Sequence, residues 1–188
     1  MKPSPPIPVR FVIVTLDAHL AGTMARVRSA LAKDLPGLEL KVHVASDWPE
    51  DPAAGEACKR DIATADFIAL TQLFQEEQVA VVQEAVKARR ERCDMVTALL
   101  CAPELTALTR MGKFAPSGTK ETSPWSPMAL LRKLRGERGD GQSSGERQMA
   151  MLKRVPQLLR FVPGPAQDLR AYLLSMQYWL AGSDTNIA

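Results

Sequence analysis

Asp17 and His19, just past the apolar run Val9 to Leu16, are the residues whose types and spacing come nearest to chemistry. At the carboxyl end of a strand a histidine can donate to a ligand carboxylate or accept a proton. The plainer reading is that His19 caps or packs against the helix that follows. Glu104 comes after Pro103 at a second strand-to-helix junction. There it either satisfies the helix start or reaches a ligand. Asp47, Glu50 and Asp51 could hold Mg²⁺, an ion content with a few carboxylates and several waters. Acids in a proline-containing loop are, however, ordinarily just exposed. His43 alternates outward on its strand and reads as solvated.

Other chemistries find little support. The segment Asp17-Ala18-His19-Leu20-Ala21-Gly22-Thr23 fits neither GxGxxG nor GxxxxGK[ST], so neither nucleotide motif is present. Two histidines so far apart do not make a histidine metal site. No Ser/His/Asp or Cys/His set follows from spacing, and no catalytic residue is singled out. Cys58, Cys93 and Cys101 are odd in number and lack CxxC spacing, which predicts reduced, partly buried thiols.

The elements that must position these residues are readable from periodicity. Val9 to Leu16 is β-branched and nearly continuous, as a central strand should be. Leu20, Met24, Val27 and Leu31 share one helical stripe, which Pro36-Gly37 ends. Leu38, Leu40, Val42 and Val44 alternate with Glu39, Lys41 and His43, the pattern of an edge strand with one wet face. An acidic loop over Asp47 to Gly55 then leads to a helix around Glu56 to Thr64. Phe67 to Leu70 reads as a strand buried on both faces. Val79, Val82 and Val86 mark the next helix, with Glu76 and Glu77 in its first turn and Lys87, Arg89, Arg90 and Arg92 in its last. That polarity suits the helix dipole. Met95 to Leu100 is another strand, and Pro103-Glu104 opens a helix that Gly112 should stop.

Four strands, each followed by a helix, predict an α/β fold: an open, mostly parallel, flavodoxin-like sheet in the order 2-1-3-4 with helices on both faces. Ligands of such sheets sit beyond the carboxyl ends of the strands. Those ends carry Thr15, Asp17 and His19; Ser46, Asp47 and Trp48; Thr71 and Gln72; and Cys101 and Glu104.

The predicted organisation is a disordered, proline-rich arm over residues 1–8, the α/β domain over 9–114, and a flexible linker with one short helix (Pro127 to Leu134) over 115–146. Arg132, Lys133, Arg135 and Arg138 cluster there, most simply as a solvated face. A helical extension occupies 147–182: one helix from about Glu146 to Val155, and a last one at Ala166 to Ala181 with Leu169, Tyr172, Leu173, Met176 and Leu180 on its apolar stripe. Residues 183–188 read as a truncated end.

The totals are those of an ordinary soluble domain: 188 residues, 46% hydrophobic, 24% charged. A net charge of +3, without interleaved aromatic and basic residues, gives no case for nucleic acid. The apolar runs stop after about eight residues where a membrane span needs roughly 20. The first residues, MKPSPPIPVR, lack the apolar core of a secretory signal.

Dispersed along nearly the whole chain is a pattern that resembles the amino-terminal part of the magnesium chelatase H-subunit family. It runs through VIVTLDAHLAGT (Val12 to Thr23), Ala85-Val86, Arg90 to Arg92, Asp94, Pro103-Glu104, Met111-Gly112-Lys113-Phe114 and Ser123-Pro124-Trp125. It ends in Ala166-Gln167-Asp168, Arg170, Tyr172, Leu174-Ser175, Gln177, Trp179-Leu180 and Gly182-Ser183. Asp17 stands where the family usually has Glu, and the loop at Gly136 to Gly145 varies in length. The resemblance implies a piece of the large subunit that binds protoporphyrin IX, where Mg²⁺ enters the macrocycle in chlorophyll or bacteriochlorophyll synthesis. It also implies ATP hydrolysis on two AAA+ partner subunits, of I and D type, and a cytoplasmic location or one peripheral to the photosynthetic membrane. Mg²⁺ and porphyrin are then substrates of the full subunit. No cofactor or metal site is expected in this piece, whose partners are the rest of the subunit, the ATPases and the porphyrin. Asp17, His19 and Glu104 are the substrate-facing candidates. The alternative is an autonomous α/β interaction or sensing module without chemistry.

Overall fold

The computed structural model describes residues 8–116, 156–157, 159–160 and 164–181. Its elements are β1 (Val9–Thr15), α1 (Leu20–Leu31), β2 (Leu38–Val44), α2 (Pro52–Thr64), β3 (Phe67–Thr71), α3 (Glu76–Arg89), β4 (Met95–Leu99), α4 (Pro103–Thr106), β5 (Arg110–Met111) and α5 (Pro165–Ala181). The sheet order is β2-β1-β3-β4-β5. The first three pairings are parallel and the β4–β5 pairing is antiparallel.

The expected 2-1-3-4 order is therefore present, with a fifth strand added. The expectation of one helix running from Pro103 to Gly112 was wrong. The helix closes at Thr106, and Arg110–Met111 folds back onto β4. Gly112, at φ +57°, makes the turn that brings Phe114 against Met111. The loop before α2 is shorter than expected. Pro52 starts the helix at a position where its missing N–H costs nothing, and Asp51 caps it by accepting from Ala53 N (3.1 Å) and Ala54 N (3.3 Å). Residues 52–55, read as loop, are its first turn. Residues 1–7 of the expected arm over 1–8, the helices expected at Pro127 to Leu134 and Glu146 to Val155, the basic cluster Arg132, Lys133, Arg135 and Arg138, and residues 183–188 lie outside the described residues.

Alternation along the strands sorts the core into two faces. Val12, Val14, Ile68, Leu70, Val96 and Ala98 point to the α2–α3 side, where they pack against Ile62, Val82 and Val86. Ile13 and Ala69 point the other way, toward Met24 and Val27 of α1. Farther along that second face, α5 sets Leu169, Tyr172 and Leu173 against Leu99 and Phe114. The α5 stripe read from sequence is buried at Leu169, Tyr172 and Leu173, partly buried at Met176, and exposed at Leu180.

Candidate functional site

Beyond the carboxyl end of β1 the chain forms a side-chain-stapled turn. Thr15 Oγ1 accepts from Asp17 N (3.1 Å), and Asp17 Oδ1 accepts from His19 N (2.8 Å). Asp17 thus mimics a backbone turn and delivers the chain into α1, whose Leu20 N donates to Asp17 O. His19 occupies the N-cap position, but its side chain makes no capping bond and is exposed. Glu104 is exposed in the first turn of α4. Asp17 and His19 are brought together; Glu104 stands two strands away, across β3, at a spacing of about 10 Å.

Two features of this edge were not legible in sequence. Gln72 and Leu100, at the ends of β3 and β4, hold positive φ angles of 59° and 53°. Such conformations cost about 1–3 kcal/mol each in a non-glycine residue and persist only where the surroundings enforce them. Here Gln72 N donates to Leu99 O, and Ala102 N to Leu73 O, lacing the two strand ends together.

Two of the three acids read for Mg²⁺ have other side-chain partners. Asp51 caps α2 and Asp47 accepts from Ser46 Oγ (3.0 Å). Among the described residues no group of three His, Cys, Asp or Glu side chains gathers to hold a metal ion. The reading of His43 as merely solvated was wrong. Its Nε2 lies 2.9 Å from Asp61 Oδ2, and Lys41 Nζ lies 2.6 Å from Asp61 Oδ1. The outward face of β2 meets α2, so its polar residues find a partner there. Burial pushes the Asp61 carboxyl up, but the hydrogen bonds from Lys41 and His43 outweigh it and hold Asp61 below its ordinary 3.8. This contribution to stability is present above pH 3.8 and is lost as the pH falls below it.

A further feature among the described residues is apolar and on the second face. Between α1 and α5 lies a cleft of about 640 Å³, floored by β2, β1, β3 and β4 and walled by Met24 and Val27 on one side and Trp179 on the other. None of Asp17, His19 or Glu104 lines it. A sequence signal did exist: Ala69 and Thr97 are short side chains at the centre of a sheet face otherwise set with Phe11, Ile13 and Leu99.

A family model described as a domain of unknown function, DUF3479, matches residues 10–173. The chain belongs to this family. The DUF3479 match begins in β1 and ends within α5, so the sheet and its docked helix are parts of one family unit. Among curated relatives, the magnesium-chelatase H protein of Cereibacter sphaeroides is 46% identical over 175 residues, covering 93% of this chain and 14% of the relative. Its Rhodobacter capsulatus counterpart is 41% identical over 187 residues, 100% of this chain and 15% of the relative. The chloroplastic magnesium-chelatase protein ChlH of Oryza sativa subsp. indica is 28% identical over 183 residues, 95% of this chain and 13% of the relative. This DUF3479 chain spans about one seventh of the length of those relatives.

Proposed function

We propose that this chain is the amino-terminal segment of the large, H-type component of a magnesium chelatase and serves there as a head module, not as the seat of metal insertion. The observation that carries this reading is 46% identity over 93% of the chain to the Cereibacter sphaeroides protein. In this reading the whole subunit binds protoporphyrin IX, Mg²⁺ enters the ring there, and AAA+ partners of I and D type hydrolyse ATP. The assembly works in the cytoplasm or at the periphery of the photosynthetic membrane; no helix among the described residues is long and apolar enough to cross a membrane.

Metal insertion demands that Mg²⁺ shed tightly held water and that two pyrrole nitrogens lose protons to positioned bases. The best-placed groups of this module are already committed to its own architecture. Asp17 staples a turn, Asp51 caps α2, and Asp61 holds Lys41 and His43. His19 and Glu104 remain exposed at the carboxyl edge, and we assign them to face the substrate or the rest of the subunit. We take residues 9–114 as the α/β domain and 147–182 as the helical extension that docks the module.

The test removes the matching segment from the Cereibacter sphaeroides protein and measures porphyrin affinity and Mg²⁺ insertion with the ATPase partners present. The 188-residue chain is titrated in parallel with protoporphyrin IX, following quenching of Trp48, Trp125 and Trp179. The shortened protein is expected to hold porphyrin within about threefold of the intact one, or about 0.65 kcal/mol, while insertion slows. Tight porphyrin binding by the 188-residue chain, with binding lost from the shortened protein, would overturn the head-module reading.

A further inference from the structure

We propose that the cleft between α1 and α5 is a binding site for an uncharged, hydrocarbon-rich ligand bearing one hydroxyl or carbonyl group. This inference rests on the cleft and not on the family reading.

Two short side chains deepen the floor of the cleft between its helical walls. Ala69 of β3 and Thr97 of β4 are register partners at the middle of the sheet. Larger side chains at these positions would rise into the space between the flanking helices and narrow it. What remains is about 640 Å³, within the roughly 300–1,000 Å³ typical of small-molecule sites.

The lining selects the ligand. Among the described residues it contains no Asp, Glu, Lys, Arg or His. A charged group entering it would lose its water and gain no counter-charge, so the ligand is neutral along the buried part. The polar groups are few. Ser175 Oγ already donates to Ala171 O (2.9 Å), and Tyr178 stands half exposed. Thr97 is 3% exposed, and its hydroxyl has no hydrogen-bond partner. A buried hydroxyl without a partner is a standing cost that valine, its near isostere, would not incur. A χ1 turn of about 120° between staggered rotamers carries the hydroxyl to the place the methyl held, and so offers it to a ligand oxygen.

The test titrates the 188-residue chain with Nile red, a neutral fluorophore carrying one carbonyl. Saturable one-to-one binding is expected, with energy transfer from Trp179. 1-Decanol should displace the probe at least about tenfold better than decanoate at pH 8, because the carboxylate must desolvate. Thr97→Val should weaken Nile red and decanol about fivefold, the loss of one hydrogen bond, without lowering the unfolding midpoint. Ala69→Leu should abolish binding while the circular dichroism stays unchanged; if that variant fails to fold, Thr97→Val decides. Absence of saturable binding, equal displacement by decanol and decanoate, or unaltered affinity in Thr97→Val would each overturn the proposal. So would a sedimenting dimer that Ala69→Leu dissociates, since the cleft would then be an interface between copies.

Discussion

Gly112 and Asp168 meet from distant parts of the chain. The Asp168 carboxylate, in the first turn of α5, accepts from Lys113 N (2.8 Å) and lies across Gly112. A Cβ on Gly112 would sit 2.7 Å from the Asp168 carboxyl atoms, and the φ of +57° already disfavours any L side chain. Gly112→Ala is therefore expected to destabilise the chain by about 1–3 kcal/mol, through strain and through displacement of Asp168 from Lys113 N. Urea unfolding measures it; a change within about 0.5 kcal/mol, the range of an inert surface substitution, would refute the account. Residue-scale facts of this kind were only half legible. Glycine after an apolar run announces a chain reversal, but only tertiary contact decides between a helix stop and the tight turn found here. His43 shows the same limit. Strand alternation told its side correctly, yet its partner Asp61 lies 18 residues on, in a helix whose facing no local pattern reveals.

At the scale of elements, the sheet has to end somewhere, and β5 is too short to finish it. β5 pairs only with Met95 and Val96, which leaves the outward N–H and C=O of Ala98 without a strand. Two side-chain hydroxyls replace that strand. Thr109 Oγ1 accepts from Ala98 N (3.1 Å), and the Tyr172 hydroxyl donates to Ala98 O (2.9 Å). Guanidinium groups close the gap beside them: Arg90 Nε donates to Leu108 O (2.9 Å), Arg110 Nε to Arg90 O (3.0 Å), and Arg110 also reaches Cys93 O. An exposed sheet edge invites pairing with another chain, and this arrangement covers it. Tyr172→Phe would keep the ring against Phe114 (centroids 5.2 Å apart) but strand the Ala98 carbonyl in a buried place. The expected loss is about 1–3 kcal/mol by denaturant unfolding. A neutral result would mean that the hydroxyl does not complete the edge. Periodicity identified Tyr172 as part of the α5 stripe from spacing alone. It could not see that the hydroxyl also joins α5 to β4.

Across the whole molecule the two sheet faces differ. The α2–α3 face is continuously packed, whereas the α1 and α5 sectors are separated by the cleft. The parallel order and the central place of β1 and β3 followed from their unbroken apolar runs. The cleft left only a partial trace, the short side chains of Ala69 and Thr97, because its walls belong to two helices far apart in sequence. The cysteines report on the packed face. Burial pushes the Cys58 thiol up to about 12 and the Cys101 thiol to about 11, and it also raises Cys93, against the pull of Arg110. At pH 8 these values leave roughly one thiolate in ten thousand at Cys58 and one in a thousand at Cys101, against about one in ten for an ordinary thiol at 9.0. Since only the thiolate attacks, iodoacetamide at pH 8 should label Cys58 and Cys101 at least about a hundredfold more slowly in the native chain than in denaturant. Raising the pH to 10 should speed native labelling about a hundredfold at both sites, because each thiolate fraction grows tenfold per pH unit while the pH stays below its pKa. The denatured chain should gain less than that, because its thiols pass half ionisation near 9.0. Peptide mass mapping separates the sites. Native labelling of Cys58 at the denatured rate would mean that the α2–α3 face opens in solution, and the packed core from which both the sheet order and the cleft are argued would not be there.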